Sequence, residues 1–492
     1  MEYLSTRSSA FFVDSAQAVL SGLAPDGGLY VPRGLPQLDV AACLKEDTMQ
    51  MACRIIGALL PDIPDMEGLV KKAYSGKFQT EELTPTVDTG KFTVLELFRG
   101  PTSAFKDVAL CMLPQLLTAA KKVKGMDETI LILTATSGDT GKAALAGFQD
   151  VEGVKICVFY PDGGVSKVQR AQMVTQEGGN VAVCAVKGNF DDAQTGVKNI
   201  FAAAENGRLP GGNRCRLSTA NSINIGRLAP QITYYFKAYA DLMNRGQIAM
   251  GDKVNFCVPT GNFGDILAGY LAKKLGLPVG MLVCASNANN VLTDFIETGC
   301  YDKRRPFHKT TSPSMDILVS SNLERLLYLL SGCNNEYVAD LMGDLKEKGV
   351  YRINETLLTK LRADFGCGCA SDEDAANAIE TVWREQGYLM DPHTAVAWCV
   401  SEQFMASRHD DAPVVVLSTA SPYKFPAAVL SALGETPDED EFAALDQLCK
   451  LTRVAIPKNL STLRDMPVRH TDVIDKEDML SYVLRKVGER QW

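Results

Sequence analysis

The sequence predicts an α/β protein: two three-layer α/β domains with a mainly helical N-terminal region. Three observations predict it. From residue 93 onward, short apolar β-rich runs alternate with helix-spaced segments, the pattern of parallel strands joined by crossover helices. Several junctions between run and helix are rich in glycine, serine and threonine. The chain has 492 residues, more than one hydrophobic core usually organises. The divisions fall at 1–92 for the N-terminal region, 93–225 for a smaller α/β domain and 226–492 for a larger one, with a helical insertion at about 301–390.

Residues 21–32, SGLAPDGGLYVP, are dense in turn formers and read as a cap over the core. Residues 51–60 and 66–74 have helical apolar spacing. The apolar run 92–98 passes through Arg99 into the turn Gly100-Pro101. Ser103 is then the expected N-cap of a helix with Lys106 in its first turn. Residues 129–135 form a strand, 136–141 a glycine-rich turn and 142–148 a small-residue helix. Strands follow at 154–160 and 180–186, with a helix at 166–177 between them. Residues 221–243 read as one long helix with Pro230 near its first turn. The alternation resumes with a strand at 254–258, a helix at 266–275 and strands at 279–284 and 414–417. Residues 301–314 are polar and basic and read as an exposed loop, a length often found in lids, and 334–387 as mostly helical. In such an architecture the active site lies at the strand C-terminal ends, between the domains.

Composition excludes several classes. A net charge of −9 does not suit a nucleic-acid surface. No run of about 18 apolar residues suggests a membrane span, and the N-terminus lacks signal-peptide character. The fourteen cysteines are scattered, and Cys157, Cys184, Cys257 and Cys284 each sit in an apolar run, which suits a reducing cytoplasm. His308, His393, His409 and His470 are far apart and only Cys367 and Cys369 are close, so no metal site is expected.

Five stretches carry groups suited to chemistry. Lys106 sits at the positive end of its helix and beside Phe105; both disfavour the ammonium form and leave the free amine that Schiff-base chemistry needs. Thr136 to Gly141, TSGDTG, offers backbone N–H groups and the hydroxyls of Ser137 and Thr140 to an anion, though it also suits a plain βα turn capped by Asp139. It is not a Walker loop. PTGNFGD, from Pro259 to Asp265, repeats the design and suits a phosphate monoester, or again a plain turn. It lacks the GxGxxG spacing, and no acidic residue ends the next strand, so a nicotinamide cofactor is disfavoured. NSINIGR, from Asn221 to Arg227, brings two amides, a hydroxyl and a guanidinium to a helix start; Arg227 suits a phosphate or carboxylate, or simply the surface. STASPYKF places Thr419 at the end of the last strand.

In this order the stretches resemble the threonine synthase family, fold-type-II pyridoxal-phosphate enzymes. GLAPDGGLYVP, FRGPTSAFKD, ATSGDTG, NSINIGRLAPQITYYF, PTGNFGDILAG, SPSMDI with SNLERLL, DPHTAVA and TASPYKF all carry the resemblance, over nearly the whole chain. It implies conversion of O-phospho-L-homoserine and water to L-threonine and phosphate. It implies that Lys106 holds pyridoxal 5'-phosphate as a Schiff base and shuttles protons. Gly261, Asn262, Phe263, Gly264 and Asp265 would bind the cofactor phosphate, with Asn262 also reaching the substrate phosphate. Ser137 and Thr140 would take the substrate carboxylate, Ser222 and Arg227 the substrate phosphate, and Thr419 would face the pyridine nitrogen. Arg99 stands where the family often has His, and Ser421 and Tyr423 where it often has His and Ala; Lys424 is in place. The resemblance implies a small-molecule enzyme, monomer or homodimer, without a nucleic-acid or membrane partner. A phospho-lyase, a serine or threonine dehydratase and a catalytically silent cofactor-binding protein are the alternatives. A plain dehydratase has no need of Arg227, and the lyase differs only in its products.

Overall fold

The apolar runs pair into two largely parallel sheets. The computed structural model describes residues 1–136, 138–204, 207–210, 215–408 and 411–489. Among these, the larger sheet has six strands in the order Phe365–Cys369, Val279–Ser286, Val254–Pro259, Val414–Ser418, Thr93–Glu96 and Thr86–Asp88. All neighbours are parallel except the last pair. The smaller sheet orders Asp472–Asp475, Val181–Lys187, Val154–Pro161, Thr129–Ala135 and Cys215–Ser218, all parallel.

The inner strands of both sheets are covered on both faces, which is why they read as continuous apolar runs. Alternate residues serve different layers, as the pleat requires. In the larger sheet Phe256, Leu282 and Leu417 face a central core shared by the whole chain. Cys257, Val283 and Val416 face a second core with Val396, Trp398, Val400 and Phe404 of the helix Pro392–Ser407. In the smaller sheet Ile130, Ile132 and Val158 join the central core, while Leu131, Leu133 and Phe159 face a third with Ile200 and Tyr482. Each fully buried Leu or Ile here contributes roughly 1.5–3 kcal/mol.

Strand membership crosses the expected division after residue 225 twice. Thr93–Glu96 belongs to the larger sheet, and Asp472–Asp475, near the chain's end, closes the smaller one. This places the site. Thr93–Glu96, Val414–Ser418 and Val254–Pro259 are adjacent parallel strands, and their C-terminal ends lead to Lys106, Thr419 and Gly261–Asp265. Thr129–Ala135 and Cys215–Ser218 are likewise adjacent, and lead to the TSGDTG and NSINIGR stretches.

Four local expectations are corrected. The N-terminal region adds a three-stranded antiparallel sheet, Glu2–Ser5, Phe12–Asp14 and Tyr30–Pro32, to its helices. Ser103 is no N-cap: it has a positive φ of 60°, and its hydroxyl donates to Asn459 Oδ1 at 3.1 Å. The helix begins at Lys106, and Asp107 reaches back instead, accepting from Thr102 N at 2.8 Å and Thr102 Oγ1 at 2.6 Å. The long helix expected at 221–243 is broken into Ile225–Leu228, a 3-10 turn Ala229–Gln231 and Ile232–Asn244. Pro230 lies in that 3-10 turn. The insertion is not purely helical, since Phe365–Cys369 is an edge strand of the larger sheet. Among the described residues, no helix is long and apolar enough to cross a membrane, and no group of three or more His, Cys, Asp or Glu is placed to hold a metal.

Candidate active site

Lys106 is the first residue of the 18-residue helix Lys106–Val123. The loop before it is laced to the end of the neighbouring strand. Phe105 N donates to Thr419 O at 2.8 Å, Ser421 N donates to Ser103 O at 3.1 Å, and Ala104 bridges Ala420. Main-chain bonds thus fix Lys106 and Thr419 relative to each other. Lys106 Nζ lies 4.6 Å from the Phe105 ring centre. Its side chain keeps partial access to solvent, yet protein surrounds it closely enough that desolvation lowers its pKa from 10.5 to about 8. Lys424 and Arg227 add to that lowering, while Asp139 and Asp265 oppose it. Four separate stretches therefore converge electrostatically on one amine.

The TSGDTG turn is built round Thr136. Its Oγ1 accepts from Gly138 N and Gly141 N, both at 3.0 Å. Asp139 opens the helix Asp139–Phe148 rather than capping it. Its carboxylate meets Lys424 Nζ at 2.5 Å and Gln169 Nε2 at 3.1 Å. Burial alone would raise the Asp139 pKa, but Lys424 and Lys106 hold the carboxyl well below the usual range. Thr140 follows in the first helical turn, partly exposed. Ser137 lies outside the described residues.

The glycine loop after Val254–Pro259 leads into the helix Gly264–Lys274, whose first N–H groups have no acceptor within the helix. Phe263, at φ 62°, is left-handed, an uncommon state for a side-chain-bearing residue. Gly261 is required by space: a Cβ there would lie 2.5 Å from the Ser314 carbonyl oxygen. Asn262 is exposed. Burial pushes the Asp265 carboxyl up to about 6, with hydrogen bonds from Ile266 and its own backbone, and Lys106, opposing. A carboxyl nearer neutrality repels a bound phosphate less.

Arg227 is incompletely satisfied. Its side chain is buried, Nη1 donates to Ala220 O at 3.0 Å, and Nε has no partner. No carboxylate pairs with it among the described residues, and burial lowers its pKa to about 10. Ser222, partly buried, lies at the start of the same stretch.

The departures have structural uses. Arg99 pairs with the buried Glu96 at 2.6 Å. Ser421 Oγ accepts from Tyr423 N at 3.3 Å, and the Tyr423 hydroxyl donates to Val454 O. Sequence reasoning gave no role to Ser320, Asn322, Asp391, His393 or Gln169. The signal was there in part, because SNLERLL and DPHTAVA were among the stretches carrying the resemblance. His393 Nδ1 meets Asp391 Oδ1 at 2.7 Å, and its Nε2 accepts from Ser314 N at 3.1 Å. That anchors the segment lying on Gly261.

A partly accessible amine of lowered pKa, a glycine loop at a helix start and a buried guanidinium without a carboxylate partner fit a phosphorylated aldehyde cofactor with a second anion beside it. Comparison with known proteins agrees. Residues 79–343 match the model "Pyridoxal-phosphate dependent enzyme", residues 2–74 "Threonine synthase N terminus" and residues 394–483 "Threonine synthase, C-terminal". A threonine synthase of Pseudomonas aeruginosa is 41% identical over 446 residues, 89% of this chain and 92% of that one. The human protein threonine synthase-like 1 is 39% identical over 87% of this chain, which spans 58% of its length. The crystal structure of a pyridoxal-phosphate-bound threonine synthase from Brucella melitensis superposes with a TM-score of 0.88 at 38% identity, covering 100% of this chain and 99% of that one. The chain belongs to the threonine synthase family of pyridoxal-phosphate-dependent enzymes.

Proposed function

We propose that this enzyme converts O-phospho-L-homoserine and water to L-threonine and inorganic phosphate. The observation that carries the reading is Arg227: a buried guanidinium with an unpartnered Nε, near enough to Lys106 to depress its pKa. A buried uncompensated cation costs stability and is best explained by an anionic ligand. A substrate with a phosphate on its γ carbon supplies one.

Pyridoxal phosphate, when bound, supplies the electron sink that acidifies the substrate's α-proton. The backbone of Gly261, Asn262, Phe263, Gly264 and Asp265 would hold its phosphate, and Lys106 would hold its aldehyde carbon until a substrate amine takes the place of the lysine. Thr419 would offer a neutral hydroxyl to the ring nitrogen, which would leave that nitrogen less firmly protonated. Once freed by the substrate amine, Lys106 Nζ would take the α-proton, and at a pKa of about 8 it exchanges protons readily near neutral pH. The same amine then serves the β and γ carbons. Thr140 and the N–H groups of its turn hold the substrate carboxylate, with Ser137 beside them in sequence. Arg227, Ser222 and Asn262 stabilise the phosphate as it leaves. Water adds at the β carbon. The fourteen cysteines are all free, which supports a reducing compartment such as the cytoplasm.

A product assay with O-phospho-L-homoserine tests the reading by following phosphate, threonine and 2-oxobutyrate together. Phosphate and threonine are expected in equal amounts. Phosphate with 2-oxobutyrate would instead mean a phospho-lyase and would direct attention to Ser421 and Tyr423.

A further inference from the structure

The carbonyls of the glycine loop are not free. Gly261 O accepts from Ser320 Oγ at 2.6 Å. Asn262 O accepts from Asn322 N at 3.1 Å and from Asn322 Nδ2 at 3.2 Å. In a trans peptide, the C=O of one residue and the N–H of the next point in opposite directions, and no described peptide here is cis. Drawing both carbonyls toward residues 320–322 therefore turns the N–H groups of Asn262 and Phe263 away from that segment. Left-handed Phe263 followed by helical Gly264 gives the change of hand that gathers successive N–H groups into an anion-binding concavity.

Asn322 reaches a second loop as well. Its Nδ2 also donates to Ser222 O at 3.3 Å, and its Oδ1 accepts from Arg325 Nη1 at 2.5 Å. Arg325 in turn donates through Nη2 to Ile223 O at 2.5 Å and through Nε to Tyr30 O at 3.0 Å. Asn322 and Arg325 are 0% and 1% exposed. One amide thus ties the loop of Gly261–Asp265 to the stretch that carries Ser222 and Arg227, and a buried guanidinium fixes the amide's orientation.

We propose that Asn322, held by Arg325, is a positioning residue that sets the cofactor-phosphate and substrate-phosphate sites together, on the reading that Ser222 and Arg227 receive the substrate phosphate. Ser320 serves the cofactor side alone, since its hydroxyl touches only Gly261 O. The test is made on the full-length holoenzyme. It measures the cofactor concentration that half-restores activity after dilution, the inhibition constant of inorganic phosphate, KM for O-phospho-L-homoserine, and kcat. Asn322→Ala is expected to raise the first three by about tenfold, the scale of one lost buried hydrogen bond, with kcat changed less than about threefold. Ser320→Ala is expected to raise only the cofactor constant. If Asn322→Ala does not fold, Asn322→Ser keeps a small polar group beside Arg325 and removes both side-chain donor bonds to the two loops without adding a charge. An unchanged phosphate constant in the Asn322 variant overturns the coupling, as does a fall in kcat with every binding constant unchanged. Failure of the functional reading looks different: the unmodified enzyme then makes no threonine, while the paired cofactor and inorganic-phosphate constants still decide the coupling.

Discussion

Lys424 Nζ lies 2.5 Å from Asp139 Oδ1, and the two side chains are 0% and 5% exposed. Lys424 follows the last strand of the larger sheet, and Asp139 opens the helix after a strand of the smaller one. The pair therefore joins the C-terminal edges of both sheets beside Lys106. Removing one partner of a buried pair leaves the other charge uncompensated, at a cost of about 3–5 kcal/mol. Lys424→Met is expected to destabilise the enzyme on that scale in urea titration, and Lys424→Met with Asp139→Asn to recover most of the loss. Additive single effects would show that the two groups do not act as a pair. The folded-state pKa of Asp139 is depressed, so its contribution is present above the ordinary carboxylate range. It is lost as pH falls below that range, and acid unfolding should set in earlier once Lys424 is gone.

Lys106 must be neutral to capture an aldehyde. Burial, aided by Lys424 and Arg227 and opposed by Asp139 and Asp265, brings its pKa to about 8. The rate at which cofactor-free enzyme captures pyridoxal phosphate is expected to rise about tenfold per pH unit below 8 and to level off above it. A rise continuing to pH 10 would mean an ordinary exposed lysine. Lys106→Ala is expected to abolish the absorbance of the attached cofactor and nearly all turnover.

The inner strands were legible because they are apolar on both faces, whereas edge strands such as Asp472–Asp475 and Thr86–Asp88 are polar and partly exposed and gave no such signal. Thr129–Ala135 could be read to the residue, since no polar interruption blurred it. Phe365–Cys369 could not, because FGCGC offers a strand little side chain to recognise. Its glycines admit the helix beneath: a Cβ at Gly368 would lie 3.0 Å from Val400 Cγ1. The candidate site was read from local motifs at Lys106 and Gly261–Asp265, which the fold brings to the ends of neighbouring strands. It was not legible where one residue works through a partner remote in sequence. Nothing local marks Lys424 as the counterion of Asp139, or Asn322 as the tie between two loops. Ser103 misled for the same reason: its turn is held by Asn459 and the strand end at Thr419, so tertiary contacts override its capping preference.

Arg99 is expected to be a structural residue despite lying seven positions before Lys106. It meets Glu96 through Nε at 2.8 Å and Nη2 at 2.6 Å, and Tyr388 OH donates to the same carboxylate at 3.2 Å. Glu96 is 4% exposed. Arg99→Ala strips a buried carboxylate of its cation while leaving the tyrosine, and a loss of about 2 kcal/mol is expected. KM for substrate should stay within about threefold, because the lost contact is to Glu96 and not to a ligand. A tenfold rise in KM with unchanged stability would place Arg99 in the substrate site instead.

Arg227 makes the opposite prediction, that its loss helps the fold and harms the reaction. Its guanidinium is buried, lacks a carboxylate partner and leaves Nε unbonded, so only the bond from Nη1 to Ala220 O offsets the desolvation cost in the ligand-free protein. Arg227→Met fills similar volume with no charge. Its melting temperature without ligand is expected to equal or exceed that of the unmodified enzyme, while kcat/KM for the phosphorylated substrate falls at least about 100-fold, the worth of a strong charge-assisted contact. Inorganic phosphate separates the causes. A ligand that binds only the folded state raises the melting temperature in proportion to its affinity. With pyridoxal phosphate filling the Gly261–Asp265 loop, millimolar phosphate should therefore stabilise the unmodified enzyme and leave Arg227→Met unmoved. Equal stabilisation of both would locate the anion elsewhere, and a variant that melts early would mean that Arg227 supports the fold through its bond to Ala220.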